Sequence, residues 1–137
     1  MSSFKIFDVA GSGMSAQSVR LNTTASNLAN ADSISGDPTK VYKAKHPLFE
    51  AVRNGLGTDS ATSGVAVKGI VESQADPTAR YEPGNPLADA NGFVYAPNVN
   101  TVEEMVDMIS ASRSYQNNVE VMNTAKDMML ATLRLGQ

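Results

Sequence analysis

All six prolines of this 137-residue chain, at 38, 47, 77, 83, 86 and 97, lie between Asp37 and Asn98, and both flanks are free of them. Proline breaks helix interiors and most of the glycines fall in the same stretch, so the partition predicts helix, then turn-rich β or irregular structure, then helix. The expected fold class is α+β: terminal helices pairing as an α-helical coiled coil around a small β-containing, Pro/Gly-rich middle module. The boundaries expected are 1–35 for the N-terminal helical segment, 36–98 for the middle module and 99–137 for the C-terminal helical segment.

The flanks carry seven-residue recurrences, which suit a narrow coiled-coil seam. Phe7, Met14, Leu21 and Leu28 repeat at that interval over a helix expected at about 4–31. Met105, Met108, Ser112, Tyr115, Val119, Met122, Lys126, Met129 and Leu133 alternate three- and four-residue steps over about 101–135. Thr101-Val102-Glu103-Glu104 reads as a capping box, with Glu103, Glu104 and Asp107 set against the positive helix end. In the middle, Val65–Val71 and Val41–Lys45 alternate as strands do, and Asn91-Gly92 before Phe93-Val94-Tyr95 signals a hairpin turn. Tyr81–Leu87 is built for a rigid irregular excursion, and 54–64 for an exposed loop.

The first helix has an unusual polar inventory. From Met1 to Ala31 only Lys5, Asp8 and Arg20 are charged, against six Ser, two Thr, three Asn and Gln17. Ser, Thr and Asn are poor helix formers, and Gly11 and Gly13 each cost about 1 kcal/mol more. Such a helix is weak alone in water. It makes sense where most of its circumference packs against protein, because uncharged polar groups can be satisfied there and unpaired charges cannot. Helices of roughly 40 and 50 Å cover each other's seam and little else. Many copies side by side would cover the remaining apolar faces, so the paired termini are expected to be the polymerising surface and to be largely disordered in the isolated chain.

Composition removes most chemistry. There is no cysteine and one histidine, and the net charge is −3. Disulfides, thiolate catalysis and Cys-based zinc sites are excluded, and a nucleic-acid footprint is not indicated. No transmembrane run is present, and the N-terminus does not read as a Sec-type signal peptide. His46 has no partner at ligand or triad spacing, and Gly11-Ser12-Gly13 matches no phosphate-binding fingerprint. No catalytic, cofactor-binding or metal residue is expected, nor a small-molecule substrate. Ser112-Arg113-Ser114-Tyr115-Gln116 reads best as a directional contact between subunits, with Arg113 reaching a neighbour's carboxylate. The expected packing residues are therefore Phe7, Met14, Leu21, Leu28, Met105, Met108, Arg113, Tyr115, Val119, Met122, Met129 and Leu133, meeting within a subunit or across neighbours. A rival reading is a soluble dimeric coiled-coil adaptor with a β-rich recognition loop, which predicts a discrete dimer with folded ends.

Ser26-Asn27-Leu28-Ala29-Asn30-Ala31-Asp32 resembles the N-terminal signature of bacterial flagellar rod and hook axial proteins. Ser33-Ile34-Ser35-Gly36 follows where those relatives usually carry a Thr-Pro-Gly-type turn, which points to the proximal rod branch. Tyr81–Gly92, Pro97-Asn98-Val99-Asn100, Ser110–Gln116 and the ending Leu133–Gln137 are similar to that branch as well. The resemblance implies a non-enzymatic structural subunit of the flagellar basal-body rod in the periplasmic space, exported through the flagellar type III apparatus without a cleaved Sec signal. It implies as partners the other rod proteins, further copies of itself and the junction protein FliE, with no membrane insertion.

Overall fold

The computed structural model describes residues 2–53 and 63–135. Two long helices, α1 (Ser2–Ala29) and α2 (Thr101–Leu135), bracket four strands. The α2 limits coincide with those expected, and α1 ends two residues earlier, within ordinary boundary scatter. The α2 cap differs in its chemistry. Asn100 is the N-cap, its Oδ1 accepting from Val102 N at 3.1 Å and from Glu103 N at 3.4 Å. Glu104 therefore does not close a capping box with Thr101. Its carboxylate turns inward instead.

Two hydroxyls of α1 return to the helix's own carbonyls, the local bonding that makes Ser and Thr weak helix formers. Thr23 Oγ1 donates to Arg20 O at 2.9 Å, and Ser12 Oγ donates to Val9 O at 2.8 Å. The Ser12 hydroxyl also accepts from Val65 N at 3.1 Å, which ties α1 to the sheet. The helix stops where Asn30 Nδ2 donates back to Ser26 O at 2.8 Å.

β1 (Lys45–Arg53) and β2 (Ser63–Glu72) form an antiparallel ribbon with a bulge between Leu48 and Phe49, lying against α1. Among the described residues no third strand joins the outer edge of β1, so Pro47 is tolerated within it. Strand structure begins at Lys45 rather than Val41; residues 41–44 are irregular and contribute Val41 and Ala44 to the interior. The strand expected at Val65–Val71 lies within β2. Most of the loop expected at 54–64, namely 54–62, falls outside the described residues.

β3 (Thr78–Tyr81) and β4 (Phe93–Ala96) form a second antiparallel pair, extended by a bridge between Ser35 and Tyr95. The excursion Glu82–Gly92 connects them and is closed at its base by Glu82 N donating to Gly92 O at 2.9 Å. It also leans on the body. A side chain at position 36 would collide with the Leu87 carbonyl oxygen, so glycine lets the two segments touch.

The interior is made of small residues. Ala10, Ala16, Ala31, Val41, Ala44, Val94, Ala96, Ala111 and Ala125 are buried. The largest fully buried side chains are Val94 and Asn27. Among the described residues neither a leucine nor a phenylalanine is completely buried, so the hydrophobic reserve they provide is small.

Candidate assembly surface

Asn27, in the last turns of α1, is the polar centre of the molecule and is 1% exposed. Its Nδ2 donates to Glu104 Oε1 at 2.9 Å and to Lys45 O at 3.0 Å. Its Oδ1 accepts from Lys45 N at 2.8 Å and from the Tyr42 hydroxyl at 2.9 Å. Both amide protons and both oxygen lone pairs are thus engaged, the full capacity of an asparagine side chain. Ser26 Oγ lies 3.0 Å from the same Tyr42 hydroxyl. One side chain thereby joins the end of α1, the start of β1 and the first turn of α2.

From this junction the two helices run antiparallel within the single chain, where largely disordered termini were expected, because polar pairs and small residues let them pack on each other. Arg20 Nη2 pairs with Asp107 Oδ1 at 2.7 Å. A Cβ on Gly13 would touch Asn118. Ile6 and Ala125 line the same groove near the far end. On α1 the side facing α2 thus includes Gly13, Arg20 and Asn27, and Ala10, Ala16 and Thr24 are buried along the same helix. On α2, Glu104, Ala111, Asn118 and Ala125 recur every seven residues, and all but Asn118 are buried. Small side chains let the backbones approach closely, and the polar ones pair across the gap.

The expected packing residues stand beside this line. Phe7, Met14, Leu21 and Leu28 are half-buried, as are Met108, Val119, Met122 and Met129. Met105, Arg113, Tyr115 and Leu133 are exposed. The seven-residue interval expected for α2 is present, but the buried set lies one position N-terminal to Met105, Ser112, Val119 and Lys126. The large apolar side chains flank the contact between the helices. Val102, Val106, Ile109, Val121, Met128, Leu130 and Leu135 are also exposed. An open apolar groove between the helices is lined by Ile6, Val121, Thr124, Ala125 and Met128.

The polar groups of the Tyr81–Gly92 segment bond within it and to the adjoining β4. Asn85 Oδ1 accepts from Leu87 N at 3.0 Å, and Asn85 Nδ2 donates to Glu82 Oε2 at 3.0 Å. Asp89 Oδ1 accepts from Asn91 N at 2.8 Å and Phe93 N at 2.9 Å, while the Tyr95 hydroxyl donates to Oδ2 at 3.2 Å. The Phe93 amide, above the other donors, holds the Asp89 carboxyl below its ordinary range. Burial, followed by the Asp89 charge, pushes the Tyr95 hydroxyl up. Tyr81 and Phe93 meet edge to face with centroids 5.2 Å apart.

Asn27, Glu104 and Tyr42 are the residues that pattern reading missed. The only trace in the sequence was Asn27 within the Ser26–Asp32 motif, because its partners lie at distant positions. Among the described residues, no cluster of His, Asp or Glu is placed to hold a metal ion, and no helix is long and apolar enough to cross a membrane.

Residues 7–33 match the family described as flagella basal body rod protein, and residues 90–135 match the family described as flagellar basal body rod FlgEFG protein C-terminal. The flagellar basal-body rod protein FlgC of Salmonella typhimurium is 56% identical over 137 residues, covering 100% of both chains. The protein of the same description from Yersinia enterocolitica is 53% identical over 137 residues, again covering 100% of each. That from Bacillus subtilis is 35% identical over 150 aligned positions, with 100% of both chains covered.

Proposed function

The chain belongs to the FlgC family of flagellar basal-body rod proteins, and from that membership we propose how its residues build a rod. It is a structural subunit of the flagellar basal body. Its two helices form an inner layer with coiled-coil packing, and lateral contacts between copies and with other rod proteins carry torque. The middle module lies outside that layer. The junction protein FliE is a further neighbour, and the working location is the periplasmic space, reached without a cleaved signal. No catalysis is part of this role.

The observation that supports polymerisation through the helices is their inverted distribution of side chains. Between α1 and α2 lie Gly13, Asn27, Ala111 and Asn118, whereas Met105 is 55% exposed and Leu133 is 68% exposed. An isolated two-helix unit gains most by burying its largest apolar groups. A unit embedded among copies gains more by turning them outward, where contiguous apolar surface marks an interface. Phe7, Met14, Leu21 and Leu28 with Met105, Met108, Tyr115, Val119, Met122, Met129 and Leu133 then form the contacts between subunits, and Arg113 supplies a directional one.

Met105→Asp and Leu133→Asp separate subunit folding from assembly. Each is expected to change the stability of the isolated chain by no more than about 0.5 kcal/mol. Each is also expected to abolish incorporation into rods and swimming, with export intact. Normal swimming in both variants would remove the helices' outer faces from the assembly surface.

A further inference from the structure

Asp89 gathers three consecutive backbone amides. Its Oδ1 takes those of Asn91 and Phe93, and its carbonyl oxygen takes that of Gly92 at 3.0 Å. Gly92 sits at φ +82°, and a Cβ there would crowd Tyr81 and Pro83. Asn91 itself is exposed.

An Asn-Gly pair carries an intrinsic reaction. Once the glycine nitrogen loses its proton to base, it attacks the asparagine Cγ. The N–Cγ bond forms, the Cγ–Nδ2 bond breaks and ammonia leaves, closing a succinimide. Water then opens the ring at either carbonyl, giving aspartate or isoaspartate. Glycine offers no Cβ to hinder the approach.

We propose that Asn91 is a spontaneous deamidation site that reacts in the unfolded chain and is protected in the folded one, with Asp89 as the positioning residue that protects it. The attacking nitrogen is the one whose proton is engaged by the Asp89 carbonyl. The bonds to Asn91 N and Phe93 N also block the rotations that would bring Gly92 N onto Cγ. Reaction in the folded protein therefore passes through local opening, at a rate set by the open population. Isoaspartate would add a backbone methylene and a new carboxylate beside Asp89, so a modified segment does not reclose. The modification is one-way.

The test incubates the full chain at mildly alkaline pH, in native buffer and in urea, and quantifies isoaspartate at position 91 by mass spectrometry. The Asn54-Gly55 pair of the same chain serves as the reactive standard in urea. In native buffer Asn91 is expected to react at least about tenfold more slowly than in urea, because several hydrogen bonds must open together. Asp89→Ala, which removes the two Oδ1 bonds and keeps the carbonyl one, should react severalfold faster than the parent in buffer, whereas Asp89→Asn, whose Oδ1 still accepts, should retain most of the protection, and Tyr95→Phe should leave it unchanged. Hydrogen exchange at 91–93 should rank the variants in the same order. Equal rates in buffer and urea would overturn the proposal, as would a folded Asp89→Ala chain that reacts no faster than the parent. Should Asp89→Ala not fold, the parent's buffer-to-urea ratio and Asp89→Asn still decide the matter.

Discussion

The Asn27 side-chain amide donates to Glu104 Oε1 across 2.9 Å with both residues buried, a contact 77 positions long that fastens the two ends of the chain to each other. Because Asn27 also bonds Lys45 and Tyr42, helix pairing and attachment of the middle module are not independent events. Removing this side chain should unfasten both.

Asn27→Ala leaves the Glu104 carboxylate and the Lys45 amide without their partners. A loss of about 3–5 kcal/mol is expected, the range for orphaning a buried charge. Glu104→Gln keeps an acceptor facing Asn27 and should cost about 1 kcal/mol or less. Urea denaturation of the two variants compares them directly. Equal losses would mean that charge, not hydrogen bonding, holds the junction.

Arg20 and Asp107 are 2.7 Å apart but remain 27% and 48% exposed. A double-mutant cycle with Arg20→Met and Asp107→Asn should give a coupling of about 1 kcal/mol or less, shrinking as salt is raised. A larger coupling that persists in salt would show that the pair carries part of the helix contact.

The two helical glycines should respond differently to alanine. Among the described residues no atom would lie within 4 Å of a Cβ at Gly11, so Gly11→Ala should stabilise by about 0.5–1 kcal/mol through helix propensity alone. A Cβ on Gly13 meets Asn118 Nδ2 at 2.8 Å. The asparagine must move, and the gain should be reduced or erased. Thermal melts of the two single variants read the contrast.

The Tyr81–Gly92 segment should depend on pH at both extremes. The folded Asp89 carboxyl titrates below its ordinary 3.8, so the stability it contributes is present above that value and is lost as pH falls through the depressed one. Tyr95 titrates above its ordinary 10.0, so its contribution is present below that value and is lost as pH rises through the raised one. Asp89→Asn should flatten the acid limb of a stability–pH profile, and Tyr95→Phe the alkaline limb.

Helix limits were legible because they rest on local chemistry, whereas the limits of β1 and β3 were not. Proline marks where helices cannot run, and the polar-to-periodic change at Asn100–Thr101 marks where α2 begins. The strand at Val65–Val71 was legible from alternation alone. What escaped was the rotation of each helix about its axis. Phe7, Met14, Leu21 and Leu28 dominate any hydrophobic pattern, yet Ala10, Ala16, Thr24 and Asn27 are the deeply buried residues of α1. An apolar stripe can face the chain's own second helix or a neighbouring copy, and small or polar residues at a close helix contact do not announce themselves. The Asn27 junction was illegible for another reason: its meaning lies in Tyr42, Lys45 and Glu104, and no spacing rule connects these positions.

α2 has 35 residues against 28 in α1, and with Asn27 beside Glu104 and Ile6 near Ala125, Leu130–Leu135 extends past the start of α1. Objects with such a protruding tongue cannot be stacked with flush joints. In the rod proposed above, such a tongue would reach into the course above or below, as bricks do in a bonded wall, and a column laid that way would have no flat plane along which twisting could slip it apart.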